Sequence, residues 1–186
     1  YKRQDIWGGN IERRLKFPLK VVEAVTVEAK KAGKPFLVGY RLSPEEREEP
    51  GITMADSLLF AEALADTALD YIHVSVGNFH GGSMRDTTDD VSRVALLQQH
   101  VGEKITVIGV GSLQTVEDVE IALETVPLVS LGHAIVMDPD WYDKASNGQD
   151  DAIYARLYRS KQYELDIPEP LWEMITTIPG WFKVED

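Results

Sequence analysis

With 186 residues, 44% of them apolar, the chain can bury one sizeable core and reads most simply as a single domain, 1–186. Its formal net charge of −12 argues against nucleic acid or anionic membrane as the main partner, because phosphate backbones select basic surfaces; the acidity reads as a solvated exterior. The chain contains no cysteine, so disulfides and thiolate metal sites are excluded; no apolar run approaches the roughly 20 residues of a spanning helix and no signal-peptide pattern is visible, a combination read here as cytoplasmic.

In chain order, Gly8-Gly9-Asn10 reads as a turn and N-cap, with Glu12 favourably placed in the first helical turn. Phe17, Val21, Ala24 and Val25 then make an apolar helical stripe that Gly33 stops. A strand is predicted at 36–42, followed by an acidic, Pro-containing loop at 45–51 expected to be flexible. Thr53 with Asp56 three positions on is a capping-box pattern, opening a helix whose apolar face holds Leu58, Ala61, Ala65 and Ala68. A second strand at 71–76 leads to a polar loop at 83–90 and a third helix carrying Val91, Val94 and Ala95. The third strand falls at 105–110. Thr115 and Asp118 repeat the capping pattern before a helix with Val119, Ala122 and Leu123 inward, and the fourth strand is predicted at 128–131. Beyond Pro139 the pattern predicts helices at 151–161 and 168–177 and an aromatic tail, Pro179-Gly180-Trp181-Phe182. Strands alternating with helices specify an α/β fold with a parallel sheet. Four βα units amount to half of a (βα)8 barrel, which usually takes about 250 residues. The shortfall, and an opening Tyr1 in place of Met, are what a fragment or processed product would show.

Arg41 lies near the carboxyl end of the first predicted strand, the end at which α/β barrels build their active sites. A guanidinium in an apolar strand needs a partner, either a neighbouring carboxylate or a ligand. Gly111 and Ser112 end the third strand just before the Thr115 helix: glycine permits close backbone approach and a helix start offers N–H groups to an anion, although an ordinary strand-to-helix turn looks the same. Gly132 and His133 follow the fourth strand, where an imidazole that titrates near about 6.5 serves an anion or simply faces solvent. Asp138, Pro139, Asp140 and Trp141 read as a helix start and packing anchor. His73 and His80 are open to two readings, a substrate contact or a satisfied core and loop histidine. The chain has no HExxH, no clustered His/carboxylate set, no P-loop and no G-x-S-x-G, so a metal site or serine hydrolase has no support.

Three short blocks stand in a fixed order: RQDIWGGNIERRLKF at 3–17, VGYRLSP at 38–44 and LGHAIVMDPDW at 131–141. Together they resemble the second half of the old yellow enzyme family, the FMN-dependent NAD(P)H:flavin oxidoreductases. The resemblance implies the C-terminal half of a TIM barrel plus C-terminal helices, with the N-terminal half, the isoalloxazine cradle, the His-Asn or His-His pair that binds the substrate carbonyl and the Tyr that often protonates the product supplied elsewhere. It implies FMN and NAD(P)H as cofactors and a small α,β-unsaturated carbonyl compound or similar electrophile as substrate. It places Arg41 beside the flavin N1–O2 edge, and Gly111, Ser112, Gly132 and His133 toward the phosphate and ribityl end. The usual family pattern after the last strand is Gly-Arg; here His133 stands in the Arg position, giving a weaker, pH-dependent hold on phosphate. On this reading the isolated chain is inactive and, with open sheet edges, self-associates or forms a homo-oligomer. The alternative is a non-catalytic phosphate- or FMN-binding half-barrel that self-associates.

Overall fold

The computed structural model describes residues 3–186. These form two compact units: one runs through Gly111 and takes in Ala122–Ser130, and the other comprises Ser112–Ile121 and Leu131–Asp186.

The first unit opens on α1 (Ile11–Lys31), whose N-cap Asn10 accepts a hydrogen bond from the Arg13 amide at 3.1 Å. Glu12 in its first turn and Lys30 and Lys31 in its last complement the helix dipole. There follow β1 (Gly39–Leu42), α2 (Met54–Ala65), β2 (Tyr71–Ser75), α3 (Arg93–Val101) and β3 (Thr106–Val110). The boundary between the units falls within α4 (Val116–Leu123), and β4 (Leu128–Val129) belongs to the first. The capping box at α2 forms as its sequence predicts, with Thr53 and Asp56 each satisfying the other's backbone amide.

The four strands make one parallel sheet in the order β1-β2-β3-β4. Register sets Tyr40 beside Ile72 and Val107, and Leu42 beside Val74 and Gly109. This face is buried with Ala61 and Leu64 of α2 and Val94, Leu97 and Val101 of α3. The alternate residues, among them Arg41, His73, Ser75, Thr106, Ile108 and Val110, lie on the opposite, only partly covered face.

Two expectations about the first unit are corrected. The stripe Phe17, Val21 and Val25 is exposed, and α1 buries Val22 and Thr26 instead. Periodicity tells which residues share a face, not whether a neighbour covers it, and α1 packs against α2, with Arg14 donating to Asp56 at 3.0 Å, at the side of the sheet where β1 is the edge strand. The 45–51 loop is also tied down. The buried Glu45 carboxylate accepts from Ser83 Oγ at 3.0 Å and the Met84 amide at 2.5 Å. Arg85 donates to the Glu46 carbonyl at 2.7 Å and the Glu48 carbonyl at 2.5 Å, joining the loops after β1 and β2. Replacing Glu45 with Ala is expected to cost about 1.5 kcal/mol by orphaning a hydroxyl and an amide. It should also open 45–51 and 83–90 to limited proteolysis together, the measurement that checks the link.

The second unit holds α5 (His133–Met137), α6 (Trp141–Ser146), β5 (Leu157–Tyr158), α7 (Glu169–Thr177) and β6 (Val184–Glu185). Its core gathers Met137, Leu157, Ile167, Trp172 and Ile175, with Trp181 and Phe182 packed against it. The predicted helix at 151–161 does not form. Short 3-10 turns at Asp150–Ala152 and Arg159–Lys161 flank β5, which pairs in parallel with β6 and buries Leu157. That pairing spans the last 30 residues and overrides local helical preference.

The block at 138–141 forms an anchor, in keeping with its sequence. Asp138, only 1% exposed, accepts from Lys144 Nζ at 2.6 Å and from the Tyr154 and Asp140 amides at 2.9 and 3.2 Å. Trp141 Nε1 donates to the Gln114 carbonyl at 2.8 Å. No helix among the described residues is long and apolar enough to cross a membrane.

Candidate active site

Arg41, third residue of β1, is exposed, and its Nη2 donates to Ser75 Oγ at 2.6 Å. Among the described residues its guanidinium makes no ion pair with a carboxylate. A cation on a sheet face that is not neutralised by the protein is available to a ligand anion. His73 is its register partner on β2. The His73 Nε2 is buried with no hydrogen-bond partner. Burial first, and then the Arg41 charge, hold its pKa below the ordinary histidine value. His73 therefore stays neutral near pH 7 and adds no second charge to Arg41's surroundings.

Gly111 follows β3 with φ +149° and is buried. A Cβ there would lie 2.5 Å from the Phe79 amide nitrogen and 2.8 Å from the Asn78 carbonyl carbon. The loop after β2 folds over the end of β3 at this point, with the Phe79 amide donating to the Gly111 carbonyl at 3.0 Å and the Phe79 ring packed against Gly109. Phe79, fully buried, carries no local mark of this role in the sequence; the glycines at 109 and 111 that make room for it lie at the end of β3. Gly111→Ala is expected to destabilise the fold by about 2 kcal/mol, from backbone strain and overpacking, read as a shift in the denaturation midpoint.

The remaining predicted residues lie in the second unit. Ser112 is exposed with φ +53°. At the start of α4, Asp118 accepts from the Gln114 and Thr115 amides at 3.0 and 2.9 Å, and its own amide donates to Thr115 Oγ1. The helix start thus offers fewer amides to an anion than its sequence indicates. Gly132 is exposed and a Cβ added to it would meet nothing within 4 Å. His133, first residue of α5, is exposed, its ring 4.4 Å from Phe182 and 6.1 Å from Trp181. The aromatic tail read from the sequence is what supports this imidazole. His80 is an exposed loop residue stacked edge-on against Phe79.

Each unit by itself offers a group that suits an anionic part of a flavin mononucleotide: in the first, the Arg41 guanidinium with no carboxylate partner among the described residues, and in the second, the exposed His133 imidazole beside an open glycine. A profile of the NADH:flavin oxidoreductase / NADH oxidase family matches residues 1–152. The chain belongs to this family. Along its whole length it is 38% identical to the probable NADH-dependent flavin oxidoreductase YqiG of Bacillus subtilis (strain 168), and covers 50% of that protein. It is 39% identical to the NADH:acrylate oxidoreductase of Vibrio harveyi, with 94% of this chain and 18% of that one aligned. The chain thus spans about half the length of the first relative and under a fifth of the second. Morphinone reductase, solved in complex with tetrahydroNAD, superposes with a TM-score of 0.57 at 27% identity, covering 80% of this chain and 38% of its own. Histamine dehydrogenase from Rhizobium sp. 4-9, at 19% identity and a TM-score of 0.61 over 82% of this chain and 22% of its own, shares the fold. The old yellow enzyme resemblance read from three sequence blocks is confirmed, and so is the fold class, part of an α/β barrel. FMN and NADH are this family's cofactors.

Proposed function

We propose that this chain forms the C-terminal half of the catalytic barrel of an ene-reductase-type oxidoreductase, passing hydride from NAD(P)H through FMN to an α,β-unsaturated carbonyl compound or similar electrophile. The observation that carries the reading is Arg41, an exposed cation near the carboxyl end of a barrel strand, held by Ser75 and without a carboxylate partner among the described residues. When bound, FMN supplies the hydride chemistry. Arg41 contributes a fixed positive charge for the negative charge that accompanies flavin reduction. On this reading Gly111, Ser112, Gly132 and His133 serve the ribityl and phosphate end, with His133 offering an imidazole to the phosphate.

The isolated chain, on this proposal, is inactive and self-associates in the cytoplasm. β1 leaves one edge unpaired, and Phe36 and Leu37 beside it are 61% and 75% exposed. Those residues also favour the second reading, a non-catalytic FMN- or phosphate-binding half-barrel that self-associates. An absorption scan near 450 nm, where oxidised flavin absorbs, after FMN loading and desalting, followed by an assay of enone reduction with NADH, separates the two. A polypeptide that carries this segment with a preceding half-barrel should retain flavin and reduce an enone with NADH. Retained flavin without turnover supports the second reading, and flavin retention by neither that polypeptide nor the isolated chain overturns the oxidoreductase reading and leaves a phosphate-binding half-barrel.

A further inference from the structure

Arg41 and Ser75 lie on adjacent parallel strands, 34 residues apart in sequence, on the less covered face of the sheet. Ser75 Oγ is the acceptor that the Arg41 guanidinium finds there. A long, flexible side chain on an exposed face otherwise samples many rotamers, and a charge that must be gathered into place at each binding event contributes less than one already fixed. His73 sits between them in sequence position on β2 and lies directly beside Arg41 in register. From β1 the charged group facing His73 is Arg41; on β2 itself Tyr71 and Ser75 share its face; from β3 come Thr106, Ile108 and Val110, none of which is charged.

We propose that Ser75 is a positioning residue, fixing the Arg41 guanidinium on the open sheet face so that its charge is already in place when an anionic or reducible ligand arrives. The inference deepens the proposed function and rests on it for the identity of that ligand; the positioning itself is a property of the protein alone. Ser75 touches no reacting atom. Its effect runs through the location of one charge, and His73, alongside, reports that location through its own protonation.

The test uses the chain without ligand. NMR titration of the four imidazoles should find His73 with a midpoint below the ordinary value of about 6.5, and Arg41→Met should raise it by removing the neighbouring cation. Ser75→Ala and Ser75→Val should raise it in the same direction, with faster exchange of the Arg41 side-chain N–H. Ser75→Thr, equal in size to Val but retaining the hydroxyl, should leave both signals near their original values. Thr and Val behaving alike, or Ala moving neither signal, overturns the proposal; the Thr/Val pair decides it even if the Ala variant fails to fold. In a second step, flavin-loaded protein with Ser75→Val should show FMN affinity reduced about fivefold and a lowered flavin potential, both restored by Thr. If the unsubstituted protein holds no flavin, the flavin reading fails while the titrations still judge the positioning role.

Discussion

Replacing Arg41 by Met is expected to weaken FMN binding on the order of 100-fold, corresponding to about 2.7 kcal/mol, the scale of a charge-assisted hydrogen bond lost without substitute. Met keeps much of the side-chain volume and removes the charge, so the loss reads the cation. Arg41 is exposed, and among the described residues its guanidinium bonds the neutral Ser75 hydroxyl and pairs with no carboxylate, so its removal orphans no buried carboxylate there. Thermal stability should therefore change little while flavin retention collapses. Arg41→Lys should recover only part of the affinity, because an ammonium is a point charge and cannot present two parallel donors. Flavin fluorescence on titration measures all three proteins. Equal FMN affinity in the Met variant would remove Arg41 from the site and leave the proposed function without its main support.

Arg41 is legible in the sequence because the information that marks it is local. Its candidacy rests on position along one strand, and strand ends are local features that apolar runs and flanking turns mark. The same is true of the α2 and α4 starts, since Thr53 with Asp56 and Thr115 with Asp118 are bonded within three residues of each other. What the sequence withheld is contact between segments. Nothing near Arg41 in the chain points to Ser75, nothing near Glu45 points to Ser83 and Met84, and nothing near His133 points to Phe182. His73 shows the limit most clearly. As a residue type it reads as core more readily than as ligand, and its burial, followed by the register that sets it beside Arg41, is what lowers its pKa.

Leu123, expected inward on α4, is 45% exposed, and two larger misread helical features fail for one physical reason. A stripe of apolar residues is a statement about one helix, whereas burial is a property of a pair of elements. Phe17, Val21 and Val25 have the right period, and the described residues place no strand beyond β1 to meet them. At 151–161, Leu157 is buried as expected of an apolar residue, but on an extended segment whose amide donates to the Lys183 carbonyl at 2.8 Å. In both places the deciding neighbour lies far away in sequence or outside the sheet.

In the second unit the largest stability effect should come from Asp138→Ala, at about 4 kcal/mol, within the range for breaking a buried ion pair. The side chain is 1% exposed and satisfies an ammonium and two backbone amides at once. Removing it orphans the Tyr154 and Asp140 amides and opens a cavity, while Lys144, 20% exposed, can turn toward water. Lys144→Met does the reverse: the carboxylate remains buried, held only by neutral backbone donors, at an expected cost of about 3 kcal/mol. The double variant should cost clearly less than the two added together, since each single change already breaks the same pair. Three of the four tryptophans, Trp141, Trp172 and Trp181, belong to this unit and Trp7 to the other, so tryptophan fluorescence of a Trp7→Phe background during urea unfolding follows it directly. Additive losses would show that Asp138 and Lys144 act separately, and a loss under about 1 kcal/mol for Asp138→Ala would reduce the anchor to a surface contact.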